Sequence, residues 1–493
     1  MTALQHAPVP TQRDPRRWAA LAVLASSLLV VVMDMTILNV ALPEMTEELG
    51  LGAVSQLWLV DVYALALAAF LIPLTALGDR WGRKRMLLTG YAAFAVGSIA
   101  VLWADSAASV IAIRALLGLG GAMVMPSTLS LIRSVFTDVR ERTLALSIWG
   151  ATAALGAAIG PVVGGALLEA FSWHAAFLLN VPLMVVAIGA GLWLLRENRS
   201  ARPGRIDALG VLLSAGGMTA LVYAVKQLGK HGPSVSTLVL LAAGAAAMTV
   251  FVRHCLRSSH PMLDVRLFGH PVLRAGVIAA LASSVAMVSV LFVGAQWLQL
   301  VEGWSPLRSG VALLPLAVGA MIASPFAPAL AARTSPRIVL TGGLGVLATG
   351  LALLAVLPAT YLFVAIAFAV IGLGTAALGL GSALIMGAAT DDQAGSAAAI
   401  EEITYELGSV LGITFLGSLV GAVYRAGLPT GVDEATRESV AGAAGTPWFA
   451  QAADSFVTAF ASVGVVGALV TAVAAVAVWR LVPASLSLQG SQH

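Results

Sequence analysis

Long uninterrupted runs of apolar residues, separated by short polar breaks, dominate the chain from end to end. Reading the runs between breaks gives fourteen segments, each long enough for the roughly 20 residues that a membrane-crossing helix needs. They cover 18–42, 56–77, 86–103, 110–136, 143–171, 175–195, 206–228, 236–252, 272–301, 307–332, 337–357, 361–389, 395–423 and 454–482. With this many runs and no period-two alternation, helices are the only spanning element the pattern predicts. The expected fold class is therefore an all-α polytopic membrane protein. The first run is too long for a signal-peptide core and no small-residue cleavage site follows it, so it is expected to remain as span one.

Composition agrees with the pattern. Of 493 residues, 59% are hydrophobic and 10% charged, against roughly 25% charged in soluble domains. So little charge could not cover a soluble surface of this size, and disorder is excluded on the same ground. One cysteine, Cys255, excludes an internal disulfide or a cysteine metal cluster. The net charge of +3 does not indicate nucleic acid, because the basic residues are scattered through short loops.

Those basic residues predict orientation, since cytoplasmic loops collect Lys and Arg. Alternate loops and the two ends hold 21 of the 27, including Arg13, Arg16, Arg17, Arg80, Arg83, Lys84, Arg85, Arg133, Arg196, Arg253, Arg333 and Arg480. The opposite loops hold Lys226, Lys230, Arg308, Arg425 and Arg437, and Arg114 alone lies inside a span. Both termini are expected in the cytoplasm. The array divides into a tail over 1–17, a six-helix bundle over 18–195, a linker over 196–271 carrying two additional helices (about 206–228 and 236–252), a second six-helix bundle over 272–482, and a tail over 483–493. Span two ends in Leu77-Gly78-Asp79-Arg80-Trp81-Gly82-Arg83-Lys84-Arg85, and span ten in the weaker echo Leu330-Ala331-Ala332-Arg333-Thr334-Ser335-Pro336-Arg337. Two six-helix halves whose second spans end alike is the mark of a parallel internal repeat.

Several stretches carry a specific resemblance. Gly78-Asp79-Arg80-Trp81-Gly82-Arg83-Lys84-Arg85 is similar to the loop signature of the major facilitator superfamily, and Arg114-Ala115-Leu116-Leu117-Gly118-Leu119-Gly120-Gly121 to its fourth-span motif. Gly156-Ala157-Ala158-Ile159-Gly160-Pro161-Val162-Val163-Gly164-Gly165 resembles the fifth-span motif of its antiporters. Met33 to Pro43 resembles the first span of its fourteen-helix drug:proton antiporters. Trp58 to Tyr63 and Glu401 to Gly408 are similar to segments of the quaternary-ammonium and dye exporters among them. The resemblance runs over essentially the whole chain. It implies the major facilitator fold, proton coupling through Asp34 and Arg114, and an antiporter role for the fifth-span motif.

Each ionisable residue within a span is a functional candidate in its own right, because its insertion is costly. Asp34 lies midway along span one, where a lone carboxylate can gain and lose a proton near neutral pH; the plainer alternative is a packing pair with Arg114. The Arg114 guanidinium stays charged and needs an anionic or carbonyl partner, and a purely structural ion pair is its own alternative. Glu402 and Glu406, four apart, share a helix face, with Glu401 about a quarter-turn round and Tyr405 one turn beyond Glu401. Carboxylates beside an aromatic ring suit a lipophilic cation, the ring adding roughly 0.5–2 kcal/mol. The alternative starts span thirteen later and leaves Glu401 and Glu402 among headgroups. Coupling is thus assigned to Asp34, Arg114 and Glu406, and substrate binding to Asp34, Asp61, Tyr63, Trp58, Trp149, Glu401, Glu402, Tyr405 and Glu406. Asp61, between Trp58 and Tyr63, is also explicable as part of an interfacial belt. Met33, Met35, Met123, Met125 and Trp297 join Trp149 as candidates to line an apolar cavity or simply to pack.

Two motifs invite a conformational reading. Gly156, Gly160 and Gly164 bare one face of span five and Pro161 removes a donor, which suits a hinge between the halves or close packing. Asp79 is expected beside a helix N-terminus. Gly78 and Gly82 are expected to press the loop of Arg80 and Arg83 against another helix, as a latch for the outward-facing state. No phosphate-binding loop, metal-binding His-Glu-x2-His helix or nucleophile elbow occurs, and the seven histidines lack ligand spacing. The expected protein is not an enzyme. It is a proton-coupled antiporter exporting lipophilic cations (quaternary ammonium compounds, dyes, cationic drugs) across the bacterial cytoplasmic membrane. It would use the proton gradient with no cofactor and act as a monomer. The rival readings are an exporter of a neutral antibiotic or metabolite and, more remotely, an intramembrane enzyme or receptor.

Overall fold

The computed structural model describes residues 15–136, 138–199, 207–231, 234–258, 261, 263–324, 326–389 and 393–484. Arg13 and the loop residues Arg202 and Arg205 lie outside the described residues. Among the described residues, fourteen helices are long and apolar enough to cross a membrane. They are Arg17–Leu49, Ala53–Trp81, Arg83–Trp103, Ala107–Val135, Leu144–Ala170, His174–Leu194, Ala208–Val225, Val235–Arg257, Pro271–Val301, Pro306–Ala323, Pro336–Val356, Tyr361–Gly387, Ser396–Gly427 and Phe449–Leu481, numbered here as spans one to fourteen. An even number of crossings returns the chain to the face on which it began, called below the terminal face.

Local chemistry explains where the spans begin and end. Ser106, Ser234, Ser305 and Ser335 each accept from a first-turn amide, filling donors that a helix N-terminus leaves bare. Span one closes on Gly50 in the left-handed region, its amide returning to the carbonyl of Thr46. Span ten, expected as one continuous helix over 307–332, is instead broken at Leu313 into Pro306–Ala312 and Leu314–Ala323, with a third helix Phe326–Arg333. Pro315 has no N–H to continue the ladder. Spans nine and thirteen each contain a π-helical turn, Trp297–Val301 and Gly412–Leu416.

The packing repeats. In the first half, span one lies on five, two on four, and three on both four and six; in the second, nine lies on thirteen, ten on twelve, and eleven on both twelve and fourteen. Adding eight to each number converts one set into the other. The halves meet along two seams that the same operation exchanges, five against ten and two against thirteen. Spans seven and eight pair with one another, and span seven leans on span two, with Met218 and Val222 buried against Ala64, Leu65, Ala68 and Val410.

On the face opposite the termini the seams are tight. A Cβ on Gly165 would lie 2.5 Å from the Pro306 carbonyl oxygen and the Leu307 Cα, so only glycine allows this approach. Gln299 Nε2 donates to the Val40 carbonyl at 3.0 Å. The loop after span thirteen folds over the same face, where Glu438 accepts from the amide of Ala53 at 3.0 Å. On the terminal face a cavity of about 180 Å³ lies between the first half and span thirteen.

Candidate functional site

Asp34, expected as a lone carboxylate, is paired. It is 4% exposed and Arg114 is 1% exposed. Arg114 Nη1 donates to Asp34 Oδ2 at 2.7 Å, and its Nε to the Leu59 carbonyl at 3.3 Å. Asp34 Oδ1 accepts from Asn180 Nδ2 at 2.7 Å. A buried charge survives only when paired and hydrogen-bonded, and each partner here supplies what the other lacks. The gap between Asp34, Ile37, Leu38, Ala176 and Phe177 is too narrow for a water.

Tyr63 sits beneath the guanidinium, its ring centroid 4.5 Å from the Arg114 carbon, and donates to the Val31 carbonyl. The fourth-span motif makes this possible: Cβ atoms on Gly118 or Gly121 would collide with Tyr63 or its neighbour Ala66.

In span thirteen the carboxylates have different surroundings. Glu402 is half-buried and lines the terminal-face cavity with Met125, Pro126, Arg83, Arg133 and Trp149. Glu406, one turn deeper, is 4% exposed, and its Oε2 has no hydrogen-bond partner among the described residues. Glu401 takes hydrogen bonds from Ser382 of span twelve and from Tyr405 Oη, the latter at 3.1 Å. Tyr405 thus serves Glu401 through its hydroxyl, a use that stacking at helical spacing did not foretell. The Glu401 and Glu402 side chains are half-buried against the bundle.

Asp61 is fully buried and accepts from Thr414 Oγ1 at 2.8 Å. Thr414 belongs to the π-turn of span thirteen, so this bond crosses the seam between the halves. Trp58 is elsewhere: it packs at 5.8 Å against Tyr223 of span seven. Trp149 lines the cavity and donates to Thr128 at 3.2 Å. Trp297 is wholly buried at 5.9 Å from Phe460, and Met33 is buried in the core, so neither lines that cavity. Asn180, Thr414 and Ser382 were not singled out from sequence. An uncharged polar residue in an apolar run is the only trace they leave there.

The conformational motifs are placed differently from expectation. Gly156, Gly160 and Gly164 face Leu29, Thr36 and Ile37 of span one, inside the first half. They are close-packing positions between two helices of the same half. What faces the second half is the other side of span five, the Pro161 carbonyl lying against Gly310 of span ten and Gly165 against Leu307. Asp79 lies in the last turn of span two and pairs at 2.6 Å with Nη2 of Arg83, the first residue of span three. Gly78 lies within span two, and Gly82 alone separates that helix from span three. Gly82, at φ +122°, abuts Glu197 beyond span six, which also accepts from the amide of Lys84 at 3.0 Å. Arg80 is in the last turn of span two.

Twelve crossing helices in two like-packed sets, with a further pair beside them and buried acids where the sets meet, define a membrane transport fold. Residues 24–413 match the Major Facilitator Superfamily. The chain belongs to that family and is a multi-pass protein of the bacterial inner membrane. It is 38% identical over 452 residues to the multidrug efflux pump LfrA of Mycolicibacterium smegmatis, covering 90% of each chain. It is 35% identical to the methyl viologen resistance protein SmvA of Salmonella typhimurium, covering 85% of this chain and 86% of that one. Among solved structures, a bacterial homologue of the human lysosomal transporter Spinster, in an inward-facing unoccupied conformation, superposes with a TM-score of 0.68 at 17% identity, covering 95% of this chain and 97% of that one.

Proposed function

We propose that this protein is a proton-coupled antiporter that expels lipophilic cations from the cytoplasm. The observation that carries the reading is Glu406: a buried carboxylate with an oxygen that no described donor satisfies, one turn above a carboxylate lining an open cavity. Ionised, such a group must be neutralised, because an uncompensated buried charge costs several kcal/mol. A proton or an organic cation can each do so, and they exclude one another. That exclusion is the chemistry of exchange. The resistance functions in the names of the relatives support drug export, and one of them names an organic cation.

Asp34 is the second proton site. Neutralising it removes the anion that holds Arg114 over the Tyr63 ring. In this conformation the terminal face, taken as cytoplasmic from its basic loops, offers the cavity to substrate while the opposite face is closed. The protein works without a cofactor, as a monomer, on the energy of the proton gradient.

The test is ethidium accumulation in everted membrane vesicles energised to an acidic interior. Uptake that collapses on adding a protonophore, and that a quaternary ammonium salt competes with, is the expected result. Uptake insensitive to the protonophore, or competition only by neutral compounds, overturns the reading in favour of neutral-substrate export.

A further inference from the structure

Span six is broken where it passes Asp34. Its helices His174–Leu178 and Asn180–Leu194 are separated at Leu179, because Pro182 offers no N–H to the carbonyl of Leu178. The break places Asn180, fully buried, with Nδ2 at 2.7 Å from Asp34 Oδ1 and 3.3 Å from Ser98 Oγ. The other atom of the same amide, Asn180 Oδ1, has no partner among the described residues.

An amide is the one uncharged side chain that presents a donor and an acceptor at nearly interchangeable positions. We propose that Asn180 is a positioning residue that reads the protonation state of Asp34 by turning over. With Asp34 ionised, Nδ2 donates to Oδ1 of the carboxylate. When a proton adds to that Oδ1, the carboxyl becomes a donor and would face two amide hydrogens. Rotation by half a turn about the Cβ–Cγ bond brings the unpartnered Asn180 Oδ1 round to accept from the new O–H. Ser98 accommodates either state, since its hydroxyl accepts from Nδ2 in one and donates to Oδ1 in the other.

The surroundings leave this task to Asn180. Toward Asp34 span four presents Arg114, which only donates, and span two presents Tyr63, whose hydroxyl is given to the Val31 carbonyl. Span five presents the bare Gly156–Gly160–Gly164 face, and the first helix of span six presents Ala176 and Phe177. Span nine reaches span one through the uncharged Gln299. Of these groups, Asn180 alone combines a free acceptor with contact to Asp34. The inference rests on the coupling reading for Asp34 and adds a partner that keeps both of its states satisfied.

The chain has three asparagines, Asn39, Asn180 and Asn198, so side-chain ¹⁵N labelling of asparagine in lipid nanodiscs gives three amide signals. The Asn180 signal is identified by its loss in Asn180→Leu. Infrared difference spectra follow Asp34 separately, as the carboxyl band that is missing in Asp34→Asn. The expected result is that the Asn180 signal of the unmutated protein shifts with pH at the midpoint of the Asp34 band, and that the shift is absent in Asp34→Asn. In Asn180→Leu the Asp34 band should change frequency, and the pH midpoint of efflux should be displaced by half a unit or more, with Asn180→Gln partly restoring both. An Asp34 band that titrates while the Asn180 signal stays fixed overturns the proposal and leaves the coupling role standing. An Asp34 that does not titrate at all removes both. The labelling arm uses the unmutated chain, so poor folding of the leucine variant cannot decide the matter.

Discussion

Replacing Gly165 with alanine puts a methyl group into the seam that closes the face opposite the termini. The new Cβ would sit 2.5 Å from both the Pro306 carbonyl oxygen and the Leu307 Cα, where side-chain carbons are ordinarily no nearer than 3.0–3.4 Å. Both obstructing atoms are backbone, so spans five and ten must part by about 0.5–0.9 Å. Overpacking of this kind costs roughly 1–3 kcal/mol. The cost falls only on the conformation in which this seam is closed. The equilibrium should therefore move about 5- to 150-fold toward the conformation open on that face. A reporter is available in the small cavity of about 50 Å³ between spans two, nine and thirteen, which is lined by Gln56. With the buried Cys255 changed to serine, a Gln56→Cys reporter in nanodiscs should react with maleimide at least five times faster when Gly165→Ala is added. Gly150→Ala is the control, because on the same helix its Cβ would meet nothing within 4 Å. Equal labelling in the two alanine variants, at matched melting temperature, would refute the assignment of this seam as the outer gate.

Three further outcomes are expected. Arg114→Met should lower stability by about 3–5 kcal/mol by stranding Asp34; adding Asp34→Asn should recover most of the lost melting temperature while proton-driven efflux stays abolished in the double variant, and ethidium efflux at the unmutated rate in Asp34→Asn alone would sink the coupling role. If two protons exchange for one monovalent cation, each 100 mV contributes roughly 2.3 kcal/mol per net charge moved. Clamping the potential with potassium and valinomycin at constant pH gradient should then slow uptake into everted vesicles, and Glu402→Gln with Glu406→Gln should abolish that dependence in whatever transport survives. In the loop after span thirteen, the side-chain hydroxyl and then the amide of Thr436 hold the Asp433 carboxyl below its ordinary pKa. A depressed folded-state pKa adds stability above the ordinary value, lost as pH falls through the lower one. Corrected for intrinsic rates, exchange at the Thr436 amide should stay slow at pH 5, quicken in acid, and be fast at every pH in Asp433→Ala.

What could be read from the sequence is what depends on one residue and its solvent. Lipid forces any long apolar run to satisfy its own backbone, so the runs alone predicted fourteen helices, while short motifs such as Gly78–Arg85 and Arg114–Gly121 carried the family resemblance. An acid or guanidinium inside such a run is expensive wherever it points, which singled out Asp34, Arg114 and Glu406 without any knowledge of contacts. The rest was set by which helix lies beside which. That Asp34 meets Arg114 and Asn180, residues 80 and 146 positions away, follows from packing spans four and six around span one. The glycines of span five were legible as a bare face, but the helix that covers it was not, and span one of the same half took the place expected for the second half. Asp79 falls in a helical last turn rather than a loop, because Gly78 does not interrupt span two, which runs on to Trp81. Uncharged polar residues such as Asn180, Thr414 and Ser382 pass unnoticed in an apolar run, since one amide or hydroxyl is cheap to insert. Only the tertiary arrangement, by setting a carboxylate against each of them, gives them something to do.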